Sequence, residues 1–125
     1  FTLFQIGKQI PENAEWPPQV TTIETALGSI DIAYHMNHRI NGAVMFDPGS
    51  GKKLAGIGNY GFEMVEDRMA KMVCDNPYPS DFDRGIIEAA ATKFARYGER
   101  VIVTLDKTVE TRKSGGESCT YIITW

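Results

Sequence analysis

Both histidines of this chain fall in one short stretch, Tyr34-His35-Met36-Asn37-His38-Arg39. Their i, i+3 spacing places the two imidazoles on one face of a continuing helix, where both can converge on a single metal ion. Completed by Cys74, or by a carboxylate such as Asp47 or Asp75, the pair would form a metal or haem-type site. A plainer reading stands beside it: histidines near the last carbonyls of a helix complement its macrodipole and need no ligand. On either reading Tyr34, His35 and His38 are the candidates for polar contact, with His35 and His38 the candidates for metal.

Cys74 admits nucleophilic chemistry if His35 or His38 serves as its base, because a Cys-His arrangement generates the reactive thiolate. No cysteine-centred catalytic signature surrounds it, and a Cys closing an apolar strand is equally a small core hydrophobe. Cys119 alternates with Tyr121, Ile123 and Trp125 and reads as core or cavity lining. Asp81, Asp83 and Glu88 look like paired acids, yet first-turn acids stabilise a helix N-terminus without any catalytic role. Residues 75–81, rich in Pro, Asn and Asp, suit a polar mouth over a cavity or a plain strand-to-helix passage. Gly49-Ser50-Gly51-Lys52-Lys53 lacks the spacing and the following helix of a phosphate loop.

The elements that must position these groups follow from periodicity. Leu3, Ile6, Gly7 and Ile10 predict a short helix stopped by Pro11, followed by a loop through Trp16-Pro17-Pro18. Thr21 and Glu24 have capping-box form, and Ile23, Ala26, Leu27, Ile30 and Ala33/Tyr34 form one stripe, predicting a helix over residues 21–35. Ala43, Val44, Met45 and Phe46 predict a strand between two turns. Tyr60, Phe62 and Met64 alternate with their neighbours, and residues 66–68 turn the chain into 69–74, predicting an antiparallel hairpin. Ser80 as N-cap, a stripe through Phe82, Ile86, Ala90, Phe94 and Tyr97, and Gly98 as terminator predict the next helix. A strand from Val101 runs toward Arg112, and Ser114-Gly115-Gly116 turns it into a last strand over 119–125. Helix, helix, three strands, helix and two strands predict an α+β fold, an antiparallel sheet with helices packed on one face.

The chain has 125 residues, which suits one domain with a single core. Its formal net charge of −3 provides no electrostatic reason to bind nucleic acid or an anionic membrane, so neither is an expected partner. Two well-separated cysteines without CxxC spacing argue against a zinc ribbon, a thioredoxin motif or a disulfide-framed secreted mini-domain, and favour a cytoplasmic setting. No run is long enough to span a bilayer. The start at Phe1, already apolar at Leu3, Phe4 and Ile6, reads as a module excised from a longer protein.

Over residues 74–125 the motifs are Cys74, Gly85 in Arg84-Gly85-Ile86-Ile87-Glu88-Ala89-Ala90, Gly98-Glu99-Arg100-Val101-Ile102-Val103, and Gly115-Gly116-Glu117-Ser118-Cys119-Thr120-Tyr121. This pattern resembles the 4-vinyl-reductase domain family, sensory modules related in fold to the haem nitric-oxide-binding domains and to transport-particle subunits. The resemblance implies a regulatory domain attached to an effector, a small apolar ligand and, in some members, a metal near the cysteines. Many members carry a further Cys four residues before the hairpin Gly; here that position is Thr111.

The expectation is a non-enzymatic sensory domain of a signal-transduction protein that binds a small apolar or aromatic molecule between helices and sheet. Tyr34, His35 and His38 supply polar or metal contacts, and Cys74, Phe94 and Tyr121 the lining. A metal or haem cofactor stays open. The expected partners are the ligand, the effector domain of the parent protein and a second copy paired through helices. The alternatives are a Cys/His or metal-dependent enzyme using His35, His38 and Cys74, and a protein-interaction module with an exposed apolar surface.

Overall fold

The computed structural model describes residues 1–125, the side chain of Ile40 excepted. Helix α1 spans Leu3–Asn13 and opens with a capping box in which Thr2 and Gln5 satisfy each other's backbone N–H groups. Pro11 does not stop it. The helix runs two residues further because so few turns remain that one lost N–H bond is tolerated. The carbonyl of Pro11 accepts the Trp16 indole N–H at 3.1 Å, which closes the helix end and folds the Trp16 loop back onto it.

Helix α2 spans Ile23–Met36. Its capping box is formed by Thr22 and Thr25 rather than Thr21 and Glu24, with Thr22 Oγ1 accepting from the Thr25 N–H at 3.1 Å. Placing the cap at Thr22 makes Ile23 the first helical residue and buries it. The predicted strand over 43–46 is broken into short ribbons: β1 (Arg39–Ile40) pairs β2 (Ala43–Val44), and β3 (Phe46–Asp47) pairs β4 (Lys52–Lys53). Met45 lies between them, fully buried, and its N–H reaches the His38 carbonyl at 3.1 Å.

Strands β5 (Asn59–Glu66) and β6 (Met69–Asp75) form the expected hairpin, with Arg68 at positive φ in its turn. Helix α3 spans Ser80–Lys93. Pro79, not Ser80, is its N-cap, and it ends at Lys93 rather than at Gly98. The Ser80 hydroxyl is turned to other partners, and Tyr97 is fully exposed beyond the helix end. Strand β7 (Ile102–Leu105) is shorter than expected, because residues 106–118 form a long connection with a 3₁₀ turn at Arg112–Ser114. Strand β8 (Cys119–Thr124) then pairs antiparallel with both β6 and β7, and the sheet order is β5-β6-β8-β7.

The architecture is α+β, an antiparallel sheet with helices packed on it. The inward residues of β6 and β8, including Met72, Cys74, Tyr121 and Ile123, meet Leu27, Ile30, Ile87 and Ala90 in one core. The opposite face carries the Lys71–Glu63 ion pair and the exposed Val65 and Ile102. Helix α1 packs on α3. Two glycines allow this crossing: a Cβ on Gly7 would strike the Phe82 carbonyl, and one on Gly85 would strike the Phe4 carbonyl. Because the obstructing atoms are backbone, Gly85→Ala is expected to lower the unfolding free energy by about 1–3 kcal/mol, outweighing Ala's helix-propensity gain of about 1 kcal/mol. A urea midpoint equal to or above that of the unsubstituted protein would refute this.

Candidate ligand-binding cleft

Between α1, α2 and the start of α3 lies a cleft of about 600 Å³. Helix α1 supplies one wall through Gln9, Ile10 and Pro11, and α2 the facing wall through Ile30, Ala33 and Tyr34. Aromatic rings line it: Trp16, Tyr34, Tyr60, Tyr78 and Phe82. Ile10 and Asn37, both exposed, mark its rim.

Tyr34 sits at the centre of this aromatic group. Its ring meets those of Tyr60, Tyr78 and His38 edge-on, with centroids 5.2, 6.1 and 4.6 Å away, an arrangement that matches ring edges to ring faces. Its hydroxyl donates to the Ile57 carbonyl at 2.6 Å. Burial first, then the neighbouring Tyr78, Asp83 and Asp31, pushes the Tyr34 phenol up to about 12.

The two histidines do not share a face. Helix α2 ends at Met36, so His38 lies beyond it while His35 is tucked into the interior at 2% exposure. His35 Nδ1 lies 2.7 Å from the Asp31 carbonyl, and His38 Nδ1 lies 2.6 Å from the Tyr34 carbonyl. A carbonyl only accepts, so Nδ1 carries the proton in both rings. His38 Nε2 is then free to accept the Tyr78 O–H at 3.0 Å. Among the described residues no group of three or more His, Cys, Asp or Glu side chains is placed to hold a metal.

Of the six residues singled out from sequence, Tyr34 and His38 line the cleft. The expected lining by Cys74, Phe94 and Tyr121 gives way to a different placement. Cys74 and Tyr121 lie deeper, in the core on the sheet. Phe94 stacks edge-on behind Trp16, with centroids 5.0 Å apart. The Cys74 thiol is fully buried, and burial with the nearby Asp83 raises its pKa well above the ordinary thiol value. That holds it protonated, the opposite of what a nucleophile needs.

A second cluster backs the cleft. Tyr60 presents its ring to the cleft, and its hydroxyl donates to Asp83 Oδ1 at 2.6 Å. Asp83 has no exposed surface, and its Oδ2 pairs with Arg112 Nη1 at 3.2 Å. Arg112 also donates to Ser80 Oγ at 2.8 Å and to the carbonyls of Cys74 and Asn76 at 2.9 and 3.0 Å. One guanidinium therefore ties the 106–118 connection to the end of β6 and the start of α3. Burial raises the Asp83 carboxyl, against the opposing pull of Tyr60 and Arg112. Cys119 Sγ lies 2.6 Å from Ser80 Oγ, and Thr111 caps the 3₁₀ turn. The resemblance would put a metal near the cysteines; here Cys119 and Ser80 are bonded to each other, and Arg112 donates to Cys119, Ser80 and Asp83.

Asp83 had a signal in the sequence. It shares a helical face with Ile86, Ile87 and Ala90, and an acid on an apolar stripe calls for a buried donor. Arg112, in a polar loop, had none. Comparison with protein-family models, curated proteins and solved structures finds no match.

Proposed function

We propose that this is a non-enzymatic sensory or regulatory domain that binds a small, uncharged apolar or aromatic molecule in the cleft between its helices. The carrying observation is the composition of the lining: five aromatic rings and no Asp, Glu, Lys or Arg around about 600 Å³. Such a lining favours flat apolar ligands, with a few polar groups to orient them. His38 and Tyr78 supply the polar anchor. Both cysteines are buried, and Cys74 and Cys119 belong to the core rather than to the cleft wall, which favours binding over Cys/His catalysis. In this reading the domain works in the cytoplasm, joined to an effector whose state the ligand biases through differential affinity. Among the described residues no helix is long and apolar enough to cross a membrane.

The chain has two tryptophans, so Trp125→Phe leaves Trp16, in the cleft wall, as the only indole reporter. Titration with toluene and acetophenone is expected to change its emission saturably, while benzoate, whose charge the lining cannot pair, is expected to have no effect. Ala33→Arg places a cation at an exposed point of the wall and should weaken acetophenone binding by at least about tenfold while the fold persists. Equal responses in both proteins, or none to either neutral ligand, would overturn the proposal. The exposed apolar stripe Leu3, Ile6 and Ile10 on α1 favours a second reading, pairing with another chain. Sedimentation showing a dimer that Ile6→Glu dissolves would support it.

A further inference from the structure

Tyr60 belongs to two structures at once. Its ring forms part of the cleft wall, and its hydroxyl is the shortest bond to a carboxylate that has no exposed surface. The other donors to Asp83 are Arg112, at 3.2 Å, and the Asn76 amide, at a long 3.5 Å. Displacing the Tyr60 hydroxyl would leave Asp83 Oδ1 with only that long contact. A buried carboxylate is tightly coupled to its donors, because lost hydrogen bonds are not replaced by water.

The far end of the chain of bonds is the connection over residues 106–118. Residues 106–118 are held to the body of the fold by the Arg112 side chain, by the Asp106 N–H on the Thr120 carbonyl at 2.8 Å and by the Arg112 N–H on Cys119 Sγ at 3.5 Å. Their other bonds are largely internal: Thr111 with Ser114, Gly116 N–H to the Thr111 carbonyl, Ser118 to Glu110 and Thr108 to Asp106. With Arg112 engaged, the 3₁₀ turn is pinned against β6 and α3. With Arg112 released, the segment keeps its own turn but loses its side-chain anchor, and the Asp106 and Arg112 N–H groups that reach β8 are the amides left open to exchange. A chain of contacts transmits a signal only when it ends in such a two-state element.

We infer that the line Tyr60, Asp83, Arg112 is the read-out path of the domain, by which occupancy of the cleft is transmitted to residues 106–118. This rests on the cleft being a ligand site. The ligand acts by moving the Tyr60 ring; the buried carboxylate of Asp83, deprived of its closest donor, takes up a proton; the guanidinium of Arg112, no longer facing a charge, loosens, and the surface of the 106–118 segment changes.

Hydrogen exchange read by mass spectrometry tests this on the intact chain, with acetophenone as the probe and Trp16 emission in the Trp125→Phe background as an independent measure of occupancy. Tyr60→Phe keeps the ring and removes the hydroxyl. Without probe it should raise exchange over 106–118 by about tenfold, the size of one lost hydrogen bond to a charged group, while β6 and β8 stay protected. Arg112→Lys, which keeps the charge but loses the fork, marks the released state. In the unsubstituted protein the probe should shift the segment toward that state, and in Tyr60→Phe the probe should bind without moving it further. Binding with an unmoved segment, or an unmoved segment in Tyr60→Phe, overturns the read-out path and leaves the cleft as a ligand site. Absence of binding overturns the cleft reading and the signalling claim with it.

Discussion

Arg112→Ala is expected to lower the free energy of unfolding by about 3–5 kcal/mol, the cost of leaving a buried charge without its partner. The stranded group is Asp83, which is fully buried. Its remaining donors, Tyr60 and Asn76, cannot neutralise a full charge. The substitution also strands the carbonyls of Cys74 and Asn76, each of which accepts from Nη2. Urea denaturation followed by circular dichroism measures the change. Adding Asp83→Leu to Arg112→Ala should recover part of the loss, since removing both charges costs less than removing one. A double variant no more stable than Arg112→Ala alone would show that the ion pair is not the source of the effect.

Alkaline pH should unfold the protein through its tyrosines. Tyr34, Tyr60 and Tyr121 are buried and hydrogen-bonded, and burial is the first cause raising each above the ordinary phenol value of 10. The native state therefore holds protons that the unfolded chain releases, so stability is fully present below pH 10 and falls as pH rises through 10 and beyond 12. Cys74, raised above its ordinary value of 9, begins the same loss about one unit lower. Each group contributes a slope of at most about 1.4 kcal/mol per pH unit, so the three tyrosines together contribute at most about 4 kcal/mol per pH unit. Urea unfolding between pH 8 and 12, with tyrosinate absorbance recorded in parallel, measures this slope. Tyr60→Phe should make it shallower. Tyrosinate absorbance from all five tyrosines appearing while the circular dichroism stays native would refute it.

The hairpin β5-β6 was legible because its signals are local: alternation on both strands and a two-residue turn. The existence of all three helices was legible for the same reason. Their ends were not. Helix α1 runs through Pro11 because Trp16, five residues on, closes its last turn, and α3 stops short of Gly98 where Phe94 leaves the apolar stripe to meet Trp16. The 106–118 segment looked like a strand and turn because Val109 continues an apolar alternation. Instead the side chains of Asp106 and Thr111 accept the backbone N–H groups of Thr108 and Ser114 and divert the chain.

What the sequence by itself determined is the class of fold and the candidate aromatic and histidine residues, because periodicity and composition act within a few residues. Tertiary structure decided which of those residues share a site. The end of α2 at Met36 separates His35 from His38, sending one into the core and the other to the cleft. The crossing of α1 over α3, possible only because Gly7 and Gly85 lack side chains, sets a wall of the cleft opposite Tyr34. The placement of Arg112 beside Asp83 joins segments 29 residues apart in the chain, and a buried charge finds its partner through space, where no local pattern in the sequence announces it.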